Sequence, residues 1–200
     1  MNILAVGAHP DDIEYGMGGT AAKHVTRGDD VYFLILTYGE KTRPAKSGKK
    51  EAEQSAKILG VRSVYFGGLK DTRVANSIET IRKIEKALQE TDPDRVYCPC
   101  LSDQHQDHRN CAYSVATAAR GVRQVLQFEL PYAHFDFSPR YYVPIDDVID
   151  VKMASLKSFR SQTNRIFMKD DAVRSLARYR GYLINCNYAE AFEILRFVEL

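Results

Sequence analysis

No stretch of this 200-residue chain is apolar over the ~20 residues that a membrane-spanning helix needs, so no transmembrane segment is expected. The segment Met1–Ala8 carries no basic residue, and its apolar run stops at His9, too short for the core of a secretory signal. A soluble, cytoplasmic protein is therefore expected. Cysteine is sparse. Cys98, Cys100, Cys111 and Cys186 are too few for a disulfide scaffold in a chain of this size. Cys98-Pro-Cys100 has neither the CxxC spacing of a redox pair nor the second pair of a structural zinc site, so buried, reduced thiols are expected. A surplus of one charge is missing too. With 28 basic and 26 acidic residues the net charge is +2, without the basic excess of a nucleic-acid-binding domain. The one dense basic stretch, Lys41 to Lys50, runs straight into Glu51 and Glu53. It reads as a solvated loop and helix start, or as a loop facing an anionic or polar substrate. No repeat, low-complexity tract or Pro/Gly/Ser linker divides the chain, so residues 1–200 are expected to form a single domain.

What is present is an alternation of short apolar runs with helical patterns. Strands are predicted at Ile3–Ala8, Val31–Thr37, Ser63–Phe66 and Arg95–Cys98. Helices are predicted at Gly16–Arg27, Lys50–Leu59, Ser77–Gln89 and Asp107–Arg120, the first two ending on Gly28 and Gly60. After Gly121 the pattern weakens to a strand at Gln124–Phe128, a helix at Ile149–Phe159 and a last strand at Glu193–Val198. Such alternation predicts right-handed βαβ units and an α/β fold, a Rossmann-like domain with a mostly parallel sheet flanked by helices. Functional residues belong just past the carboxyl ends of its first and fourth strands.

The loop after the first strand reads His9-Pro10-Asp11-Asp12-Ile13-Glu14-Tyr15-Gly16-Met17-Gly18-Gly19. Its glycines invite a dinucleotide-binding reading, but Gly16-x-Gly18-Gly19 lacks the G-x-G-x-x-G spacing. Asp11, Asp12 and Glu14 would also stand where a pyrophosphate needs backbone donors. Acids clustered with a histidine suit a cation. The loop after the fourth strand supplies the complement, His105-Gln106-Asp107-His108. His9, His105 and His108 are three of the five histidines in the chain. A catalytic zinc takes three N/O protein ligands and keeps one open position. His9, Asp12 and His108 supply two imidazoles and a carboxylate, which leaves Asp11 free beside the metal. Either motif alone is also compatible with a turn and a helix cap, with Asp107 as the cap of its helix. Both at the ends of two parallel strands point to a site.

These residues resemble the PIG-L/LmbE family of zinc-dependent N-deacetylases, marked by (A/G)HPDD after an early strand and by a later HxDH. Here the motifs are Ala8-His9-Pro10-Asp11-Asp12 and His105-Gln106-Asp107-His108. The similarity extends through Gly18-Gly19-Thr20, Thr37-Tyr38-Gly39-Glu40, Leu59-Gly60-Val61, Leu69-Lys70-Asp71, Ser161-Gln162 and Ala189-Glu190-Ala191-Phe192 after Arg180-Gly181. The resemblance implies Zn2+ held by His9, Asp12 and His108, with Asp11 as general base and His105 stabilising the oxyanion. Asp107 would hold His105 or His108. Arg43 is the candidate for binding the sugar. Asp103 occupies a position where some members of the family carry a tyrosine. The implied reaction removes acetyl from an N-acetylglucosamine-type sugar or conjugate, a small-molecule substrate. Tyr132, His134 and Tyr188 are further candidates for lining the pocket, and Tyr141-Tyr142-Val143 is expected to be exposed and to contact a second subunit. Two alternatives remain at this point: an amidase acting on a larger amide conjugate, and a non-enzymatic nucleotide-binding Rossmann-like domain. Metal at His9, Asp12 and His108 separates the second from an enzyme.

Overall fold

Along β1 (Asn2–Gly7) the side chains of Ile3 and Ala5 enter one hydrophobic core, and those of Leu4 and Val6 enter another. This is the period-two alternation of a strand buried on both faces. It recurs in β2 (Asp30–Thr37), where Phe33 and Ile35 face one side and Leu34 and Leu36 the other. The computed structural model describes residues 1–133 and 136–199. It continues with β3 (Ser63–Leu69), β4 (Arg95–Pro99), β5 (Gln124–Phe128), β6 (Tyr141–Pro144) and β7 (Ala189–Phe197). These form one seven-stranded sheet in the order β3-β2-β1-β4-β5-β7-β6. The first five strands are parallel, and β7 runs antiparallel to both β5 and β6. Helices α1 (Asp12–Thr26), α2 (Ala45–Leu59), α5 (Ile149–Leu156) and α6 (Asp170–Tyr182) supply residues to one core. Helices α3 (Ile78–Thr91) and α4 (Gln106–Ala118) supply the other. Among the described residues, no helix is long and apolar enough to cross a membrane.

The main departures from the sequence reading have local causes. Helix α1 begins at Asp12 rather than Gly16, so the acidic loop is itself the first helical turn. Its glycines serve close packing: a Cβ on Gly16 would lie 2.2 Å from the Phe128 ring, and one on Gly19 would lie 2.9 Å from Ile145. Helix α2 starts five residues early, at Ala45, and α6 and β6 are additional to the elements predicted from the sequence. Tyr141-Tyr142-Val143 is not the exposed patch expected. It forms the edge strand β6, where Val143 is buried and the Tyr141 hydroxyl accepts from Arg95 at 3.2 Å. Cys98, Cys100 and Cys111 are buried and Cys186 is partly exposed, all as free thiols.

Helix α1 breaks at Met17 (φ −147°, ψ 21°), which orphans backbone groups on both sides. A buried ion pair satisfies them. Glu190 accepts from the amides of Gly19 (2.9 Å) and Thr20 (2.6 Å), while Lys152 Nζ donates to the Tyr15 carbonyl and to Glu190, each at 2.6 Å. Both side chains are almost wholly buried, so removing one partner strands a charge. Lys152→Met should destabilise the fold by about 3–5 kcal/mol, read as a clear drop in Tm. An unchanged Tm would contradict this role for the pair.

Candidate metal centre

Strands β1 and β4 are parallel neighbours, so the loops leaving their carboxyl ends meet. His9 lies two residues past the end of β1. Asp12, the first residue of α1, folds back so that its Oδ2 accepts from the amides of Ala8 (2.9 Å) and His9 (2.8 Å). This tight turn requires Asp11 to take φ 100°, a left-handed conformation rare outside glycine. After β4, Asp103 accepts from the His105 amide at 2.7 Å. The cap of α4 is His105 and not Asp107: its Nδ1 accepts from the Asp107 amide at 3.2 Å. A neutral ring that accepts at Nδ1 carries its proton on Nε2.

The turn and the helix start bring His9, Asp12 and His108 together. His9 Nδ1 lies 3.2 Å from His108 Nε2 and 3.5 Å from Asp12 Oδ2, and His108 Nε2 lies 3.4 Å from Asp12 Oδ1. For metal–ligand bonds of about 2.0–2.1 Å, a tetrahedron has edges of roughly 3.3–3.4 Å. The three side chains therefore fit one divalent ion. His9, His105 and Asp107 also lie within reach of a single ion. In that trio, however, His105 Nδ1 and Asp107 Oδ2 already accept from the Asp107 and Thr72 amides.

Carboxylates hold the far side of both imidazoles, as expected around metal-binding histidines. His108 Nδ1 lies 3.1 Å from Asp103, and His9 Nε2 lies 3.2 Å from both Asp71 and Asp107. Asp107 thus attends His9, not His105 or His108. Successive helical residues point about 100° apart, which turns Asp107 toward β1 and the Thr72 amide while His108 faces the cluster. Asp103 and Asp71 carry no role in the sequence reading. The signal that could have found them is position: each follows the carboxyl end of a parallel strand, β4 and β3.

The electrostatics suit a dication. Burial alone would lower the pKa of His9, but Asp12, Asp107 and Asp71 outweigh it and hold the ring well above its usual value. Burial is likewise overcome at His108, which Asp12 and Asp103 raise to about 9. Asp12 is held well below the carboxylate range, against burial, by His108 and His9. Loading an ion must displace any proton on the His9 and His108 nitrogens that face it. Asp11 differs: burial pushes it up to about 6, against the pull of Arg43. His105 is lowered by burial and by its two histidine neighbours.

The cluster sits at the base of a cavity of about 440 Å³. His9, Asp11, Asp12, His105 and His108 line its polar floor, and Tyr15, Leu130, Tyr132, Phe167 and Met168 form an apolar wall. Tyr132 is therefore in the pocket. Tyr188 is not among its lining residues and instead accepts from Arg178 at 2.8 Å, and His134 lies outside the described residues. Arg43 borders the cavity, but its Nη atoms contact Pro10, Asp11 and Glu51. Glu14, two residues past Asp12, is wholly buried with neither oxygen hydrogen-bonded among the described residues, and burial raises it to about 8.

With this geometry in view, comparison with known proteins is specific. The family model described as GlcNAc-PI de-N-acetylase (PIG-L) matches residues 4–119. An Escherichia coli K12 protein described as the uncharacterized deacetylase YaiS is 30% identical over 167 residues, covering 80% of this chain and 90% of the relative. The diacetylchitobiose deacetylase of Thermococcus kodakarensis is 28% identical over 223 residues, covering 98% of this chain and 82% of its own. The crystal structure of the conserved protein TT1542 from Thermus thermophilus superposes with a TM-score of 0.90 at 27% identity, covering 100% of this chain and 97% of the other.

Proposed function

Because the chain belongs to the PIG-L family of GlcNAc-PI de-N-acetylases, we propose that it is a zinc-dependent hydrolase that removes acetyl from an N-acetylglucosamine-type sugar or conjugate. The observation that carries this reading is the His9–Asp12–His108 cluster, with Asp11 and His105 beside it at the floor of one cavity. Two imidazoles, one carboxylate and an open side are the donor set of a catalytic zinc. The neighbouring diacetylchitobiose deacetylase supports the sugar class.

A divalent ion in this site supplies Lewis acidity toward the acetamide carbonyl and its attacking water. The chain's own residues handle the protons. Asp11 Oδ2 is held by Arg43, and Oδ1 has no protein hydrogen bond among the described residues. Asp11 takes the proton of the attacking water and returns it to the departing nitrogen, so water and amide become acetate and amine. His105 presents its Nε2 proton to the carbonyl oxygen as charge builds there. Asp103 and the Asp71–Asp107 pair keep His108 and His9 oriented with one nitrogen each toward the cluster. The apolar wall of Tyr15, Tyr132 and Phe167 excludes water and offers ring faces to a sugar. Free thiols at all four cysteines support a cytoplasmic setting.

The test is a panel of N-acetylglucosamine, N,N'-diacetylchitobiose and bulkier amide conjugates, assayed for free amine. Amine and acetate should appear in equal amounts from the acetylated sugars. Release from bulky amides alone would replace this reading with that of a conjugate amidase.

A further inference from the structure

We propose that the Arg43–Glu51 ion pair is the positioning device for Asp11, and that Glu51 acts on turnover only through Arg43. The inference rests on reading Asp11 as the base. Arg43 lies in the loop between β2 and α2 with its side chain 3% exposed. One nitrogen, Nη2, donates both to the Pro10 carbonyl and to Asp11 Oδ2, each at 3.1 Å. These acceptors lie on either side of the backbone forced to φ 100° at Asp11. Such a residue is strained by about 1–3 kcal/mol and persists only where its surroundings over-determine it. Arg43 is the group that bridges it.

The other nitrogen, Nη1, donates to Glu51 Oε2 on α2 at 3.2 Å. Glu51 is fixed from behind, accepting from the Ser161 amide (3.0 Å) and hydroxyl (2.7 Å). Glycine at position 39 leaves room for the guanidinium: a Cβ there would lie 3.0 Å from its Nε. With both Nη atoms held by protein acceptors, Arg43 orients the base rather than the sugar. A lysine has the charge but not the planar fork that spans these acceptors.

The experiment is a double-mutant cycle on the full-length, metal-loaded protein, with N,N'-diacetylchitobiose as substrate. Glu51→Gln keeps an oxygen for Ser161 but sets an amide NH2 against Arg43. It should lower kcat by tenfold to roughly a hundredfold, the scale of a small misplacement of a reacting group, with KM and metal content unchanged. In an Asp11→Asn background the same substitution should cause no further loss, because the group it positions is gone. Arg43→Lys should behave in the same way and serves if Glu51→Gln folds poorly. Losses that multiply across the cycle, or a Glu51→Gln enzyme with wild-type kcat, would overturn the positioning role and leave the base assignment standing. An Asp11→Asn enzyme as active as wild type refutes the base itself, and the proposal with it.

Discussion

Alanine at position 12 should empty the metal site and abolish turnover in the same step. Asp12 is the anionic member of a three-donor set, and its Oδ2 also ties down the amides of Ala8 and His9. Its removal leaves two imidazoles and loosens the turn that aims one of them. Losing a partner that merely orients a ligand weakens metal binding by about 10–100-fold, and losing a ligand should exceed that. His9→Ala and His108→Ala should do the same. Metal content after dialysis, measured beside activity, checks all three. A variant with full occupancy and wild-type turnover would remove that residue from the ligand set. Asp12 is the most informative, because its sequence neighbour Asp11 is a carboxylate that could in principle substitute.

Asp11→Asn should give the opposite pairing of results: metal retained, turnover lost. Asparagine keeps the shape and can still hydrogen-bond Arg43 and water, but it accepts no proton at neutral pH. A lost general base lowers the rate by about 10²–10⁴-fold. His105→Ala should likewise spare the metal, with a loss on the order of 10²–10³ for a missing oxyanion donor. If Asp11→Asn lost the metal and Asp12→Asn kept it, the roles of the two aspartates would be exchanged. If both variants kept metal and activity, the hydrolase reading would fail.

The two motifs are legible in the sequence because short apolar strands of a parallel sheet announce their carboxyl ends, and the acids and histidines stand in the loops that follow them. The pairing of β1 with β4 is the strand order of a doubly wound sheet, which the fold supplies. The supporting carboxylates are harder to read. Asp103, Asp71 and Asp107 are distant or ambiguous in sequence, and which imidazole each holds depends on the angular position of α4 and on the loop after β3. Arg43 illustrates the same gap. Its place after β2 marks it as a residue near the cavity, but only the fold reveals that its partners are Asp11 and Glu51. Boundaries failed where tertiary packing overrides local preference. Helix α1 starts early, at Asp12, where the carboxylate folds back onto the amides of Ala8 and His9, and its glycines leave room for Phe128 and Ile145. Strand β6 is shaped by pairing with β7, which no local pattern encodes.

The most direct test of a zinc-dependent deacetylase is acetate release from N,N'-diacetylchitobiose by the wild-type enzyme as purified, after chelation, and after zinc is restored. One amine should be freed for each acetate. Activity should be lost as the metal is removed and should recover on reloading, with no recovery in Asp12→Ala. Undiminished acetate release from the stripped protein, or no release from any N-acetylated sugar by a fully loaded one, would contradict it.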